Sequence, residues 1–293
     1  MTKDVGFSEA LHEVHRRFAA APLSYGQGTD NAWDEAVALM LGVTGLRDAR
    51  SSLDARLEED QAATIRNLAE RRVKERRPLA YLLGSTPYCG EPFHVPEGVV
   101  VPRSPIGTLL VDGLRPWVES PARILDLCCG SGCLGILAAK RFPQARVVLA
   151  DIDPLAISTA RRNVTAHGLE NRVQTLQSDL LSGLHAGGGA TGGRYDLILC
   201  NPPYVDANGM ETLPPEFAFE PAMGLDGGCD GMALVNRVIG EASAFLAGQG
   251  VLIGEVGEGA GRLEARWPGV PFFWPDLPAG GTGVFLLHAD DAP

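Results

Sequence analysis

Apolar side chains recur at helical spacing through the first part of the chain. Between residues 7 and 21, Phe7, Leu11, Val14 and Phe18 return every three or four positions, with Ser8 available to cap the start and Pro22 to close the end. That spacing puts the four on one face of an amphipathic helix. A second helical stretch covers residues 33–41, and a third covers 54–76, with Ile65, Leu68 and Val73 on one side and Pro78 beyond its end. The chain up to about residue 80 therefore reads as all helical.

The period then changes. Residues 86–101 are rich in aromatic and β-branched side chains punctuated by Gly90, Pro92, Pro96 and Gly98, which predicts a β-hairpin. After Ser104, apolar strands alternate with amphipathic segments: ARILDLC, RVVLADI, VQTLQSD, YDLILCN, GVLIGEV, PFFWPDL and TGVFLLHA are seven strand candidates. Helices between most of them predict an α/β, doubly wound, mostly parallel sheet. The run GGGATGG at 187–193, between the third and fourth candidates, holds neither helix nor strand firmly and reads as a flexible surface loop. No internal repeat is evident.

Composition narrows the function classes. With 45% hydrophobic and 21% charged residues in a chain of 293, a sizeable core can be buried in more than one domain. A net charge of -11 disfavours general attraction to nucleic acid, which needs clustered Lys and Arg, and favours a basic partner. The Arg-rich stretch RRVKERR (71–77) reads as a solvated helix face. The six cysteines include the adjacent pair Cys128 and Cys129, with Cys133, Cys200 and Cys229 scattered rather than spaced like a disulfide framework, which fits a reducing cytoplasm. The start lacks a signal-peptide pattern, and no apolar run approaches the roughly 20 residues that span a bilayer, so a soluble protein is expected.

Candidate chemistry begins at ARILDLCCGSGCLG. Gly130, Gly132 and Gly135 follow an apolar strand and precede a helix, so the backbone can approach a ligand at the carboxyl edge of the sheet. Cys128 belongs to this loop and is placed among its cofactor-contacting residues. As side chains, Cys128, Cys129 and Cys133 read as small packing groups, since no His or second Cys pair lies at metal-ligand spacing. Asp151 ends the next strand, where a ribose hydroxyl would be held; on these residues alone a nicotinamide dinucleotide remains possible. Asp126, ending the first strand, and Asp179, closing the third, add acceptors suited to an ammonium and an adenine amine. Asp153, followed by Pro154, reads as a helix cap.

The discriminating motif is Asn201-Pro202-Pro203-Tyr204, at the end of YDLILCNPPYV. Neither proline can donate a backbone hydrogen bond, so carbonyl acceptors dominate this rim. Methylation of a planar NH2 group needs such a rim. The Asn201 oxygen and a neighbouring carbonyl can accept its two hydrogens and aim the nitrogen lone pair at the methyl donor, while Tyr204 stacks on the planar acceptor. An amide nitrogen is a weak nucleophile, so hydrogen bonds that tighten as it pyramidalises would stabilise the transition state. The scattered histidines offer no acid–base partner.

Taken together, DLCCGSG, the strand ending in Asp151 and NPPY resemble the class I HemK-like protein-glutamine methyltransferases, and the resemblance spans nearly the whole chain. The stretches YGQGTDNAWDEA, RRPLAYLLG, VVVPRSPIG and EPAMGLDGGCDG are similar to the branch that methylates ribosomal protein L-three. The resemblance implies a helical substrate-recognition domain over 1–85, a hairpin linker over 86–104 and a methyltransferase domain with a seven-stranded sheet over 105–293. It further implies S-adenosylmethionine as cofactor, with S-adenosylhomocysteine as product. Gly130 and Gly132 would line the cofactor, Asp151 would meet the ribose, and Asn201, Pro202, Pro203 and Tyr204 would hold the glutamine, with Arg103 near the pocket mouth. The implied partner is ribosomal protein L-three or an assembly intermediate containing it, in the cytoplasm, with no sequence-specific nucleic-acid contact and no membrane. Two departures stand out: Cys129 where relatives often carry Thr, and the GGGATGG run. The competing functions are an adenine exocyclic-amine methyltransferase acting on nucleic acid, a non-catalytic adenosine-binding module, and a nicotinamide-dependent oxidoreductase.

Overall fold

The structure, a computed structural model, describes residues 5–184, 193–277 and 280–293. It divides into two compact units: one of Met1–Pro87, Pro92–Arg103 and Leu213–Glu220, the other of Tyr88–Glu91, Ser104–Thr212 and Pro221–Pro293. Of the GGGATGG run, residues 187–192 lie outside the described residues.

The first unit is built on α1 (Phe7–Ala20), α2 (Ala32–Thr44), α3 (Glu59–Glu75) and α4 (Leu79–Leu83). α1 buries Phe7, Leu11, Val14 and Phe18, the four side chains its spacing selects. Each fully buried side chain of this kind contributes roughly 1.5–3 kcal/mol. Ser8 does not cap it: Gly6 takes the N-cap position, without a side-chain cap, and Ser8 lies inside the first turn. α2 is capped by Asn31, whose side chain accepts from Trp33 N and Asp34 N, both at 3.0 Å. α3 starts at Glu59 rather than at residue 54, because Glu58 and Gln61 form a reciprocal capping box there. The three long helices enclose a core that includes Phe7, Phe18, Leu39, Met40 and Ile65.

The same unit holds a buried ionic network. Glu216 is 0% exposed and accepts from Arg76 Nε at 3.0 Å, Arg76 Nη2 at 2.9 Å and Ser24 N at 2.9 Å. Arg72, also buried, donates to Glu35 through Nε at 2.8 Å and places Nη1 3.5 Å from Glu216. Arg71 pairs with Glu75, and Arg77 with Glu75 and Glu97. The RRVKERR stretch is therefore only partly a solvated face, and its arginines are matched by carboxylates rather than left as a phosphate-binding patch.

β1 (Ser85–Tyr88) and β2 (Glu91–His94) form a separate two-stranded sheet. The second unit follows with α5 (Ile106–Asp112), β3 (Arg123–Leu127), α6 (Cys133–Arg141), β4 (Arg146–Asp151), α7 (Pro154–Ala166), β5 (Val173–Gln177), β6 (Tyr195–Cys200), α8 (Ala207–Thr212), α9 (Ala233–Phe245), β7 (Leu246–Glu255), α10 (Ala260–Arg266) and β8 (Val284–His288). Its sheet has the order β5-β4-β3-β6-β7-β8, parallel except for β8, which runs antiparallel to β7. Six strands are present among the described residues where seven candidates were expected. PFFWPDL contributes only a single antiparallel bridge, Phe273 to Leu286, because Pro271 and Pro275 on either side have no N–H to donate to a ladder. Leu125, Ile198, Leu252, Phe285 and Ile239 are part of the core between sheet and helices. Among the described residues, no helix is long and apolar enough to cross a membrane.

Candidate active site

Strand order reverses beside β3. The chain moves outward from β3 through β4 to β5, then returns to place β6 on the other side of β3. Loops leaving the carboxyl ends of β3 and β6 therefore diverge above a crevice, the usual ligand position in an open α/β sheet. The register sets their level: Leu127 is opposite both Ala150 of β4 and Cys200 of β6. Cys128, Asp151 and Asn201 consequently leave three adjacent strands side by side.

The glycine loop is shaped for close approach. Gly130 (φ +53) and Gly132 (φ +80) both take left-handed conformations, and a Cβ built on Gly130 would meet no atom within 4 Å. The space beside Gly130 is open, as a cradle for a ligand requires. Gly135 serves packing instead, since a Cβ there would lie 2.1 Å from Leu149 Cδ2 and 3.0 Å from Asp126 Oδ2. Asn163 backs the loop by donating from Nδ2 to Ser131 O at 2.9 Å.

Asp151 is tied to that loop. Its Oδ2 accepts from Gly130 N at 2.9 Å and its Oδ1 from Asp153 N at 3.0 Å, while burial pushes its carboxyl above the ordinary range. Each oxygen keeps a lone pair for a further donor. Asp153 caps α7, accepting from Leu155 N at 2.8 Å. Asp126 lies within β3 rather than at its end and is 0% exposed. Its Oδ2 accepts from Gly135 N at 2.8 Å, Oδ1 has no hydrogen-bond partner among the described residues, and burial raises its pKa to about 7. Asp179 lies two residues past β5, half exposed, with Oδ1 3.1 Å from Arg237 Nη1.

The rim after β6 carries the second set of groups. Asn201 Oδ1 is buried and has no hydrogen-bond partner among the described residues, while Pro202 and Pro203 are buried. A buried acceptor left unpaired costs roughly 1–3 kcal/mol, which marks the place where a donor is due. Tyr204 donates its hydroxyl to Glu255 Oε1 at 2.6 Å. The neighbouring Cys200 thiol and burial together hold the Cys128 thiol far above its usual value; burial does the same to Cys129 and Cys133. None is poised as a thiolate nucleophile.

The fold thus brings Gly130, Gly132, Asp151, Cys128 and Asn201 to one edge of the sheet. Arg103, in the first unit, is ion-paired with Glu220 at 2.6 Å and lies over the Phe217 ring. Sequence reasoning missed Glu255; the available signal was a lone carboxylate closing the apolar run VLIGEV.

Residues 107–218 match the family described as Methyltransferase small domain. The chain is 44% identical over 283 residues to the ribosomal protein uL3 glutamine methyltransferase of Burkholderia pseudomallei, covering 94% of this chain and 92% of that one. It is 43% identical over 276 residues to the protein of the same description from Bordetella pertussis, covering 92% and 91%. Among solved structures, the hMettl16 catalytic domain in complex with a 3′UTR hairpin superposes with a TM-score of 0.51 at 16% identity, over 83% of this chain and 84% of that chain, a likeness of fold. At such identity over nearly its whole length, the chain belongs to the ribosomal protein uL3 glutamine methyltransferase family.

Proposed function

We propose that this protein transfers a methyl group from S-adenosylmethionine to the side-chain amide nitrogen of a glutamine in ribosomal protein uL3. The carrying observation is the buried Asn201 Oδ1, without a hydrogen-bond partner among the described residues, at the strand-order reversal beside a glycine loop with open space next to Gly130. That pairing matches a reaction in which one edge grips an NH2 group and the adjacent edge cradles a nucleoside.

The donor set fits the cofactor. The Gly130–Gly132 backbone can approach it, Asp151 has lone pairs left for ribose hydroxyls, and the backbone at Cys128 completes the wall. Asp179 would meet an adenine amine only while sharing its carboxylate with Arg237, and Asp126 supports the loop from below through Gly135. When bound, S-adenosylmethionine supplies an electrophilic methyl group on a sulfonium.

The protein's own groups supply orientation. Asn201 Oδ1 accepts one hydrogen of the glutamine NH2, a rim carbonyl accepts the other, and Tyr204 walls the amide plane. These acceptors bind a pyramidal, proton-releasing nitrogen more tightly than a flat one, so their effect is greatest in the transition state. Pro202 and Pro203 keep backbone donors off the rim. The substrate is free uL3 or an assembly intermediate containing it, met in the cytoplasm.

The test is incubation with isotopically labelled S-adenosylmethionine and purified uL3, followed by peptide mass spectrometry. One added methyl group on a glutamine side chain is expected. Label confined to ribosomal RNA would replace this reading with adenine-amine methylation, and label on another side chain would overturn it.

A further inference from the structure

The reaction as proposed needs Tyr204 held in place, and the groups that hold it are all in the second unit. Register brings them together: Cys200 of β6 is opposite Gly254 of β7, so Asn201 and Glu255 leave their strands as neighbours. Tyr204, three residues further on, returns its hydroxyl to Glu255 Oε1 at 2.6 Å. The other oxygen, Oε2, accepts from Ser104 Oγ at 2.5 Å, and that same Oγ accepts from Ile106 N at 3.2 Å. Ser104 is fixed in turn by Tyr88, which donates its hydroxyl to Ser104 O at 2.5 Å.

Backbone also runs close beside the half-buried Tyr204. Gly257 (φ +51) runs beside its ring, and a Cβ there would lie 2.9 Å from Cε2. A Cβ on Gly231 would lie 2.3 Å from Tyr204 O. Glu255 is only 4% exposed, and a carboxylate at that depth is retained only when well hydrogen-bonded. A buried charge kept for packing alone is usually replaceable by an apolar residue without loss. Here the charge instead grips the one polar atom of the Tyr204 side chain.

We infer that Glu255 is a positioning residue of the methyl transfer, acting through the Tyr204 hydroxyl to hold the phenol ring as the wall of the acceptor pocket. The inference rests on the reading of Asn201–Tyr204 as the amide-binding rim. Glu255 touches neither substrate nor cofactor in this role. It fixes the ring angle and hence the orientation of the amide.

The experiment measures kcat and KM for both substrates, S-adenosylhomocysteine affinity by calorimetry, and unfolding, in Glu255→Ala, Glu255→Gln, Tyr204→Phe and the Glu255→Gln/Tyr204→Phe pair. Glu255→Ala should lower kcat by about 100-fold and Tyr204→Phe by about 10- to 100-fold, the range for one hydrogen bond to a charged group, with cofactor affinity unchanged. Glu255→Gln keeps an acceptor but not the charge, so its kcat should fall between Glu255→Ala and the unsubstituted protein. The pair should be no slower than the slower single variant, because both act through one bond. If Glu255→Ala does not fold, Tyr204→Phe decides: an unchanged kcat overturns the inference. Folded Glu255 variants with full kcat, or fully multiplicative losses in the pair, overturn it too. Absence of glutamine methylation by the unsubstituted protein overturns the functional reading and this inference with it; normal methylation with insensitive variants removes this inference alone.

Discussion

Replacing Asn201 with Ala separates catalysis from stability more sharply than any other change in this site. The Oδ1 atom is buried and has no hydrogen-bond partner among the described residues, so the fold already bears its desolvation, roughly 1–3 kcal/mol. Truncation removes that cost along with some packing of a small side chain, and the two offset. Unfolding free energy in urea should stay within about 1 kcal/mol of the parent. Turnover should behave oppositely. Losing one preorganised hydrogen bond to the transition state costs about 3–4 kcal/mol, or roughly 10²–10³ in kcat. S-adenosylhomocysteine affinity should be preserved, since Asp151 and the Gly130 loop are untouched. Single-turnover methylation of uL3, calorimetry and urea unfolding on the same preparation give all three quantities. A folded Asn201→Ala protein with kcat within a few-fold of the parent would refute the role given to this side chain.

Asp151→Ala should weaken S-adenosylhomocysteine binding by roughly 1.5–3 kcal/mol, about 10- to 150-fold; unchanged calorimetric affinity in the folded variant would remove Asp151 from the cofactor site. Burial raises Asp126 to about 7, against an ordinary Asp value of ~3.9 in the unfolded chain. Between those values the folded state holds more protons than the unfolded one, so this group makes stability fall as pH rises from about 4 to 7, then level off. Asp126→Asn should therefore gain stability relative to the parent between pH 5 and pH 8; a difference independent of pH would show that Asp126 is ionised throughout. Glu216→Ala strands Arg72 and Arg76 without their shared carboxylate and should cost about 3–5 kcal/mol in urea unfolding, a figure that a loss below 1 kcal/mol would contradict.

Much of the fold was legible because local periodicity and long-range packing agree. α1 buries the face its spacing selects, and five apolar runs became parallel strands, the four inner ones carrying enough branched and apolar side chains to be buried on both faces while VQTLQ, at the sheet edge, buries only Val173. The sixth run to form a strand, TGVFLLHA, became the antiparallel β8. PFFWPDL failed for a reason also written in the chain: two prolines flank the segment that would have needed ladder donors. That the glycine loop, Asp151 and NPPY would meet at one edge of the sheet was legible for a different reason. Positive φ, missing N–H groups and strand-end carboxylates are properties of single residues that keep their meaning wherever the fold puts them.

What sequence reading missed depends on pairs of residues rather than single ones. Nothing local says that Asp126 is fully buried inside its strand with Gly135 donating to it at 2.8 Å. Nothing near Asp179 in sequence says that its carboxylate is shared with Arg237, 58 positions away. Glu216 sits in LPPEFAF without any periodic signal, yet its carboxylate accepts from Arg76, 140 positions earlier, and from Ser24, 192 earlier. Glu255 is the informative case. A charge ending an apolar strand predicts that something must satisfy it, but identifying Tyr204 and Ser104 requires the β6–β7 register, which only the assembled sheet supplies. A buried carboxylate in sequence is thus a question about its partner, and in this protein the partner lies in the very motif that carries the proposed chemistry.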